Sequence, residues 1–126
     1  MNNLSLAYLG DAVYELYVRK FLINKNITKV NDLQTESLKY VTAPSQRKIL
    51  ENLLNNNVLS EDEKEIVRKG RNTASRKSKT TDVITYHLST GFECLIGYLY
   101  LNNPKRLEEI MEIILWEYAG KMYLKN

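Results

Sequence analysis

The apolar residues of this chain recur every three to four positions, and few residues in it would interrupt a helix. Only two prolines and five glycines occur among 126 residues. No stretch alternates apolar and polar residues in the manner of a half-buried strand. Ile49, Leu50, Leu53 and Leu54 show the helical spacing most clearly. The sequence therefore predicts an all-α fold.

Local signals mark where these helices begin and end. Ser60 followed by Glu63 is a capping-box pattern, and Gly70 preceded by basic residues is typical of a helix end. Asp82 and Asn103 are favourable N-caps, the second with proline after it. The expected helices cover about residues 4–23, 31–41, 44–54, 60–70, 82–101 and 104–118. One side of the first helix is expected to carry Leu4, Tyr8, Ala12, Leu16 and Arg19, and the second is expected to point Leu33, Leu38 and Val41 inward.

Length and composition narrow the class of protein. We expect one domain over residues 1–126, long enough for a single core. A single cysteine, Cys94, excludes an internal disulfide, and with a single histidine, His87, it excludes a structural zinc site within the chain. No apolar run is long enough for a bilayer, and the N-terminus lacks a signal-peptide pattern. We therefore expect a cytoplasmic protein without a membrane partner.

Two acidic residues occur in unusual surroundings. Asp11 and Glu93 each lie in an apolar helical stretch with a glycine close by. Gly10, Gly91 and Gly97 would allow the two helices to approach closely and bring the acids together. Two carboxylates about 4 Å apart repel by roughly 4 kcal/mol, so they need a proton, a basic partner or a cation. Oxygen ligands of this kind suit Mg²⁺ or Mn²⁺.

A structural interpretation of the same acids stands beside the metal site. Acidic residues at helix crossings also pair with arginine or lysine, or cap a neighbouring helix. Glu15 follows Asp11 by one turn and fits either an acidic cluster or an ion pair with Arg19 at i+4, of which the ion pair is favoured. Spacing alone therefore leaves both interpretations open.

Positive charge is concentrated in one short segment. The net charge is only +3, but RKGRNTASRKSK, residues 68–79, contains basic residues and no acid. We expect it to form a loop after the helix that ends at Gly70. Such a segment is either solvated surface or a binding site for a polyanion, in which its hydroxyl groups add hydrogen bonds to phosphates.

Two motifs near opposite ends of the chain resemble those of a known family. LAYLGDAVYE, residues 6–15, is similar to the signature helix of ribonuclease III, and STGFECLIGYLYLNN, residues 89–103, is similar to the second acidic helix of that family. Together with GRNTAS, residues 70–75, they most resemble the bacterial Mini-ribonuclease III group. The resemblance covers nearly the whole chain. It implies the helical, homodimeric endonuclease-domain fold of ribonuclease III.

The resemblance also implies roles for individual residues. Asp11 matches the signature aspartate and Glu93 the glutamate of the second motif, which in the family bind Mg²⁺ and position the attacking water. Larger members carry further acids where this chain has Leu4, Ala7 and Thr90, so four acidic positions are reduced to two. We therefore expect an active enzyme with a higher requirement for Mg²⁺, for which Mn²⁺ can substitute.

The function implied by the resemblance is Mg²⁺-dependent cleavage of double-stranded RNA. The expected substrate is a stem of precursor 23S ribosomal RNA, and the products carry 5′-phosphate and 3′-hydroxyl ends. Whether a ribosomal protein is a further partner stays open at this point. We expect no separate double-stranded-RNA-binding domain, so the basic segment becomes the RNA contact. Its candidate residues are Arg68, Arg71, Asn72, Arg76, Lys77 and Lys79. The alternative is a non-catalytic RNA-binding module of the ribosome or its assembly, which has no need for Asp11.

Overall fold

The structure, a computed structural model, describes residues 1–74 and 82–117. Within these ranges the regular elements are all helical, which confirms the predicted all-α fold. The expected continuation of the last helix to Tyr118 lies outside the described residues. The elements are α1 (Asn3–Asn24), α2 (Val30–Val41), α3 (Ala43–Asn55), α4 (Glu61–Thr73), α5 (Val83–Asn102), α6 (Pro104–Glu112) and a π-helical turn (Ile113–Glu117). Over the described part of the chain, no helix combines the length and the apolar character needed to cross a membrane.

Side-chain caps lie at the starts of the helices where the sequence predicted them. The Ser60 hydroxyl accepts a hydrogen bond from the Glu63 amide at 3.2 Å, and the Glu63 carboxylate accepts one from the Ser60 amide at 2.8 Å, which completes the capping box of α4. Asp82 Oδ1 accepts from the Thr85 amide at 2.8 Å at the start of α5, and Asn103 caps α6 in the same way. A cap of this kind stabilises a helix by about 1 kcal/mol.

Two sequence predictions about the helices are wrong. Helix α4 does not end at Gly70 but continues to Thr73, whose hydroxyl donates to two carbonyl groups of the last turn at 3.1 Å. Gly70 is buried against α5 and therefore serves helix packing rather than helix termination. Leu38 does not face the core: it is 56% exposed, whereas Leu33 and Val41 are partly buried.

Helix α5 lies at the centre of the fold and packs against α1, α3, α4 and α6. Its residues Phe92, Leu95 and Ile96 are fully buried. Tyr14 of α1 meets Phe92 edge-on, with ring centroids 5.0 Å apart, and its hydroxyl donates to the Tyr40 carbonyl of α2 at 2.9 Å. Because burial of a large apolar side chain contributes roughly 1.5–3 kcal/mol, these contacts hold α1 and α2 against the central helix.

Two glycines allow the backbones of α1 and α5 to touch. A Cβ atom at Gly10 would lie 1.8 Å from the carbonyl oxygen of Glu93, and one at Gly97 would lie 2.0 Å from the carbonyl oxygen of Leu6. Any side chain at either position would therefore push the helices apart. Gly91, which was expected to contribute to this contact, faces α4 instead.

Gly10→Ala should destabilise the protein although alanine is the better helix former. Alanine gains about 1 kcal/mol of helix propensity over glycine, but its Cβ would collide with the Glu93 carbonyl. Overpacking costs about 1–3 kcal/mol, and an overlap this large belongs at the upper end. We expect a lower midpoint of urea unfolding, followed by circular dichroism. Lys48→Ala, at an exposed position of α3, is the control and should leave the midpoint nearly unchanged. An equal midpoint for Gly10→Ala and the parent would contradict the described contact.

Candidate active site

Helices α1 and α5 bring Asp11 and Glu93 together. Asp11 directly follows Gly10, and the carbonyl oxygen of Glu93 is the atom that faces Gly10. The two carboxyl groups are in hydrogen-bond contact, with Asp11 exposed and Glu93 half-buried. The acids from the two ends of the chain thus meet beside the glycine contact.

Burial and the neighbouring acid both raise the pKa of the Glu93 carboxyl. Its pKa rises from the ordinary 4.5 to about 8, chiefly because burial removes water from the charged form, and further because of the hydrogen bond and the charge of Asp11. The charge of Glu15 adds a smaller increase in the pKa, whereas a hydrogen bond from Gln46 opposes it. At neutral pH the raised pKa therefore favours the protonated form of Glu93 unless a positive charge compensates its carboxylate.

Glu15 forms the predicted ion pair with Arg19 and also contributes to the acidic cluster around Asp11 and Glu93. Its carboxylate lies 3.7 Å from the Arg19 guanidinium, so the favoured i,i+4 ion pair is present. Both side chains are substantially exposed, and such a pair stabilises a helix by about 0.3–0.5 kcal/mol. Because its charge also raises the pKa of Glu93, Glu15 adds to the negative potential around the two acids.

The three positions that the family resemblance marked for further acids supply none here: Leu4, Ala7 and Thr90. Ala7 is buried in a small apolar cluster with Cys94 of α5, and Leu4 is 52% exposed. Thr90 is buried, and its hydroxyl donates to the Tyr86 carbonyl within α5 at 2.9 Å. Among the described residues, no group of three or more histidine, cysteine or acidic side chains is placed to hold a metal ion. The acidic part of the site consists of two carboxyl groups.

Gln46 is a residue of this site that the sequence prediction did not include. It lies near the start of α3 and is 2% exposed, and its Nε2 donates to Glu93 Oε2 at 3.3 Å and to the Val41 carbonyl at 3.2 Å. In the described part of the chain, its Oε1 is buried without a hydrogen-bond partner. A signal was available: Gln46 precedes Ile49 and Leu50 by three and four residues, which places a polar side chain on the apolar face of α3.

The oxygen atoms of the site are suitable ligands for a divalent cation. Two carboxyl groups and an unpartnered amide oxygen are oxygen ligands or acceptors, which Mg²⁺ and Mn²⁺ with their hydration shells prefer. No arginine or lysine of the described residues lowers the pKa of Glu93. A bound cation would therefore supply the positive charge that the two acids require.

The predicted basic loop is helical over its first half, which corrects the sequence prediction. Arg68, Arg71 and Asn72 belong to α4. Glu65 holds the Arg68 guanidinium through both carboxylate oxygens, at 2.9 Å from Nε and 2.5 Å from a terminal nitrogen. The remaining candidates for RNA binding lie outside the described residues: Arg76, Lys77 and Lys79.

A cleft lies between the end of α4 and the start of α5. Arg71 and Asn72 are exposed at its edge, and Ile84, His87 and Leu88 form its other side, around a volume of about 430 Å³. Arg71 has no ion-pair partner among the described residues, and its position in the last turn of α4 is favourable for a cation. The cleft therefore presents a positive charge and an amide to a ligand.

Comparisons with known proteins cover nearly the whole chain. A profile of the family described as Ribonuclease III domain matches residues 4–104. The chain is 44% identical over 122 residues to Mini-ribonuclease 3 of Streptococcus pneumoniae, with 95% of each chain covered. It is 42% identical over 113 residues to Mini-ribonuclease 3 of Acholeplasma laidlawii, with 90% of each covered. The crystal structure of a Fusobacterium nucleatum protein has a similar fold, with a TM-score of 0.79 and 28% identity over 90% of this chain and 92% of that chain.

The matches in sequence and in fold agree with one another. The family profile spans both helices that carry the paired acids, α1 and α5. The similarity to these two relatives extends over 95% and 90% of their own lengths, so the likeness is not confined to a short motif. On these findings, the chain belongs to the ribonuclease III family.

Proposed function

We propose that this ribonuclease hydrolyses double-stranded RNA, with Asp11 and Glu93 holding the divalent cation on which the reaction depends. The observation that carries the proposal is the contact between these two carboxyl groups beside Gly10. Packing alone gives no reason for it, because neighbouring acids in a partly buried site cost free energy unless a cation or a proton compensates them. The proposed cation is Mg²⁺, with Mn²⁺ as a substitute.

The two acids of the proposed site differ in how deeply they are buried. Asp11 is exposed and therefore accessible to a ligand from solvent, whereas Glu93 is half-buried and accepts a hydrogen bond from Gln46. When bound, the cation supplies Lewis acidity that polarises the phosphate and increases the acidity of water. Water adds to phosphorus and the bond to the 3′ oxygen breaks, so the products carry 5′-phosphate and 3′-hydroxyl ends. Two carboxyl groups in place of four support a high requirement for Mg²⁺.

The end of α4 is the proposed RNA contact. Double-stranded RNA is recognised mainly through its phosphates and 2′-hydroxyl groups, which the exposed Arg71 and Asn72 are able to contact. Arg68 is a weaker candidate because Glu65 already holds its guanidinium. The proposed RNA contact also includes three basic residues on the basis of the sequence alone: Arg76, Lys77 and Lys79.

We also propose that two copies of the chain pair through an apolar stripe on α1. Leu4, Tyr8 and Leu16 are 52%, 85% and 58% exposed, and they recur at the i,i+4 spacing of one helix side together with the exposed Ala12. Contiguous exposed apolar side chains are typical of protein interfaces. A two-fold dimer would contain two sites, each suited to cut one strand of a duplex.

The proposal extends to a biological substrate through the family resemblance. The substrate would be a stem of precursor 23S ribosomal RNA, processed in the cytoplasm, with a ribosomal protein as a further partner. Recognition of a duplex by shape and phosphates supports a structured RNA stem as the substrate class.

Asp11→Asn should reduce Mg²⁺-dependent cleavage by about 10³-fold or more. Asparagine keeps the size of the side chain but removes its charge, and a catalytic metal contributes several kcal/mol, each 1.4 kcal/mol being tenfold in rate. The measurement is the cleavage of end-labelled duplex RNA and of a precursor 23S stem, with the product ends mapped. Asp32→Asn, at an exposed acid in the first turn of α2, is the control and should cleave like the parent. Unchanged cleavage by Asp11→Asn would remove Asp11 from the site, and no cleavage by the parent would favour the non-catalytic RNA-binding module.

Arg71→Ala should weaken binding of double-stranded RNA and lower the slope of log affinity against log salt by about one, because one phosphate contact is lost. Arg68→Ala should change both quantities less, since Glu65 competes for that guanidinium. Fluorescence anisotropy of labelled duplex in EDTA, at several salt concentrations, measures the slope. Lys105→Ala, exposed on α6, is the control. An unaltered slope for Arg71→Ala would exclude this contact.

Light scattering at micromolar concentration should give the mass of two chains for the parent protein. Tyr8→Glu should give the mass of one chain, because it buries a charge in the proposed interface. Leu38→Glu changes an exposed apolar residue of α2, outside the proposed interface, and should remain a dimer. A single-chain mass for the parent would contradict the dimer.

A further inference from the structure

The buried amide of Gln46 connects the acidic pair to the end of α2. Its Nε2 donates to Glu93 Oε2 at 3.3 Å and to the Val41 carbonyl at 3.2 Å, and the whole residue is 2% exposed. An amide nitrogen carries two hydrogens, so both are used. Gln46 therefore links α3, α5 and the last residue of α2 through one side chain.

The orientation of this amide follows from its neighbours. The Val41 carbonyl can only accept a hydrogen bond, so the nitrogen of Gln46 and not its oxygen must face it. This leaves Oε1 as a buried acceptor without a partner among the described residues. Buried polar atoms are nearly always hydrogen-bonded, and an exception points to a water or an ion as the partner. Because Oε1 belongs to the same amide as the Nε2 that contacts Glu93 Oε2, this buried acceptor lies beside the acidic pair.

We infer that Gln46 is a positioning residue of the metal site: its Nε2 fixes the Glu93 carboxyl, and its Oε1 accepts a hydrogen bond from a water in the hydration shell of the divalent cation. This inference rests on the proposed function, because it takes Asp11 and Glu93 as the residues that hold the cation. It adds a third group to the site. With two acids in place of four, most ligands of Mg²⁺ are expected to be waters, and a fixed acceptor for those waters would raise the affinity for the cation.

Gln46→Met separates this role from a purely structural one. Methionine has a similar volume and no hydrogen-bonding amide, so the buried orphan oxygen disappears and the core remains filled. Outer ligands of metal sites contribute about 10- to 100-fold to metal affinity. We therefore expect the Mn²⁺ dissociation constant of the RNA-free protein, measured by electron paramagnetic resonance, to rise at least about tenfold. The Val41 carbonyl and Glu93 lose the hydrogen bonds from Nε2, and removal of the orphan oxygen offsets part of the resulting loss of stability. We therefore expect a moderate fall of the thermal midpoint in EDTA.

Activity adds a second readout to the same variant. The Mg²⁺ concentration for half-maximal cleavage should rise by a similar factor, and saturating Mg²⁺ should restore most of the maximal rate. Gln34→Met, on the exposed side of α2, is the matched control and should change neither quantity. If Gln46→Met binds Mn²⁺ as tightly as the parent, the inference is overturned, whether or not the thermal midpoint of the variant falls.

Two further measurements keep the test decisive. If Gln46→Met does not fold, the parent protein is titrated with Mg²⁺ and the side-chain amide signals are followed by NMR. A shift of the Gln46 signal without a shift of the Gln34 signal supports the inference, and an unmoved Gln46 signal overturns it. Asp11→Asn distinguishes the two levels of the proposal: if it binds Mn²⁺ like the parent, the proposed function itself fails. If it loses Mn²⁺ while Gln46→Met retains it, only the role of Gln46 fails.

Discussion

The backbone contact between α1 and α5 is the constraint on which the rest of the site depends. Gly10 faces the carbonyl oxygen of Glu93, and Gly97 faces that of Leu6. Because each glycine accommodates the backbone of the other helix, the contact fixes the register of the two helices as well as their separation. Asp11 follows Gly10 in the sequence, so the residue that permits the approach also determines which acid meets Glu93.

This constraint places two acids where stability alone would not favour them. Desolvation and the charge of Asp11 raise the pKa of Glu93, which means that the metal-free site holds a proton that a divalent cation would displace. The neighbouring polar group, Gln46, satisfies one oxygen of Glu93 but leaves its own oxygen unpartnered. Both observations support the proposed cation site, because functional sites commonly reduce the stability of the free protein.

The sequence predicted those features that depend on neighbouring residues or on paired motifs. The caps at Ser60 and Asp82 were predictable because capping is local, and the all-helical fold followed from the spacing of apolar residues. Gly70 was misassigned because a glycine after basic residues is typical of a helix end, whereas here Cys94 of α5 packs against it. The apolar face of α3 marked Gln46 as unusual, but its contact with Glu93 and the exposure of Leu38 depend on how α3 and α2 lie on other helices, which no local pattern encodes. Their roles required the tertiary arrangement.

The continuation of α4 past Gly70 has a consequence for how RNA binding and cleavage are related. Gly70 and Gly91 let α4 lie against α5, and this contact carries the last turn of α4, with Arg71, to the N-terminal part of α5. Glu93 lies six residues beyond His87 of the cleft, a rise of about 9 Å along the helix. The proposed phosphate contact on α4 and the proposed metal residue Glu93 on α5 are thus held at a fixed separation by the packing of these two helices. A duplex held at Arg71 would therefore present its backbone to Glu93 at a set spacing, so that the central helix, rather than a loop, would determine which phosphate is cut.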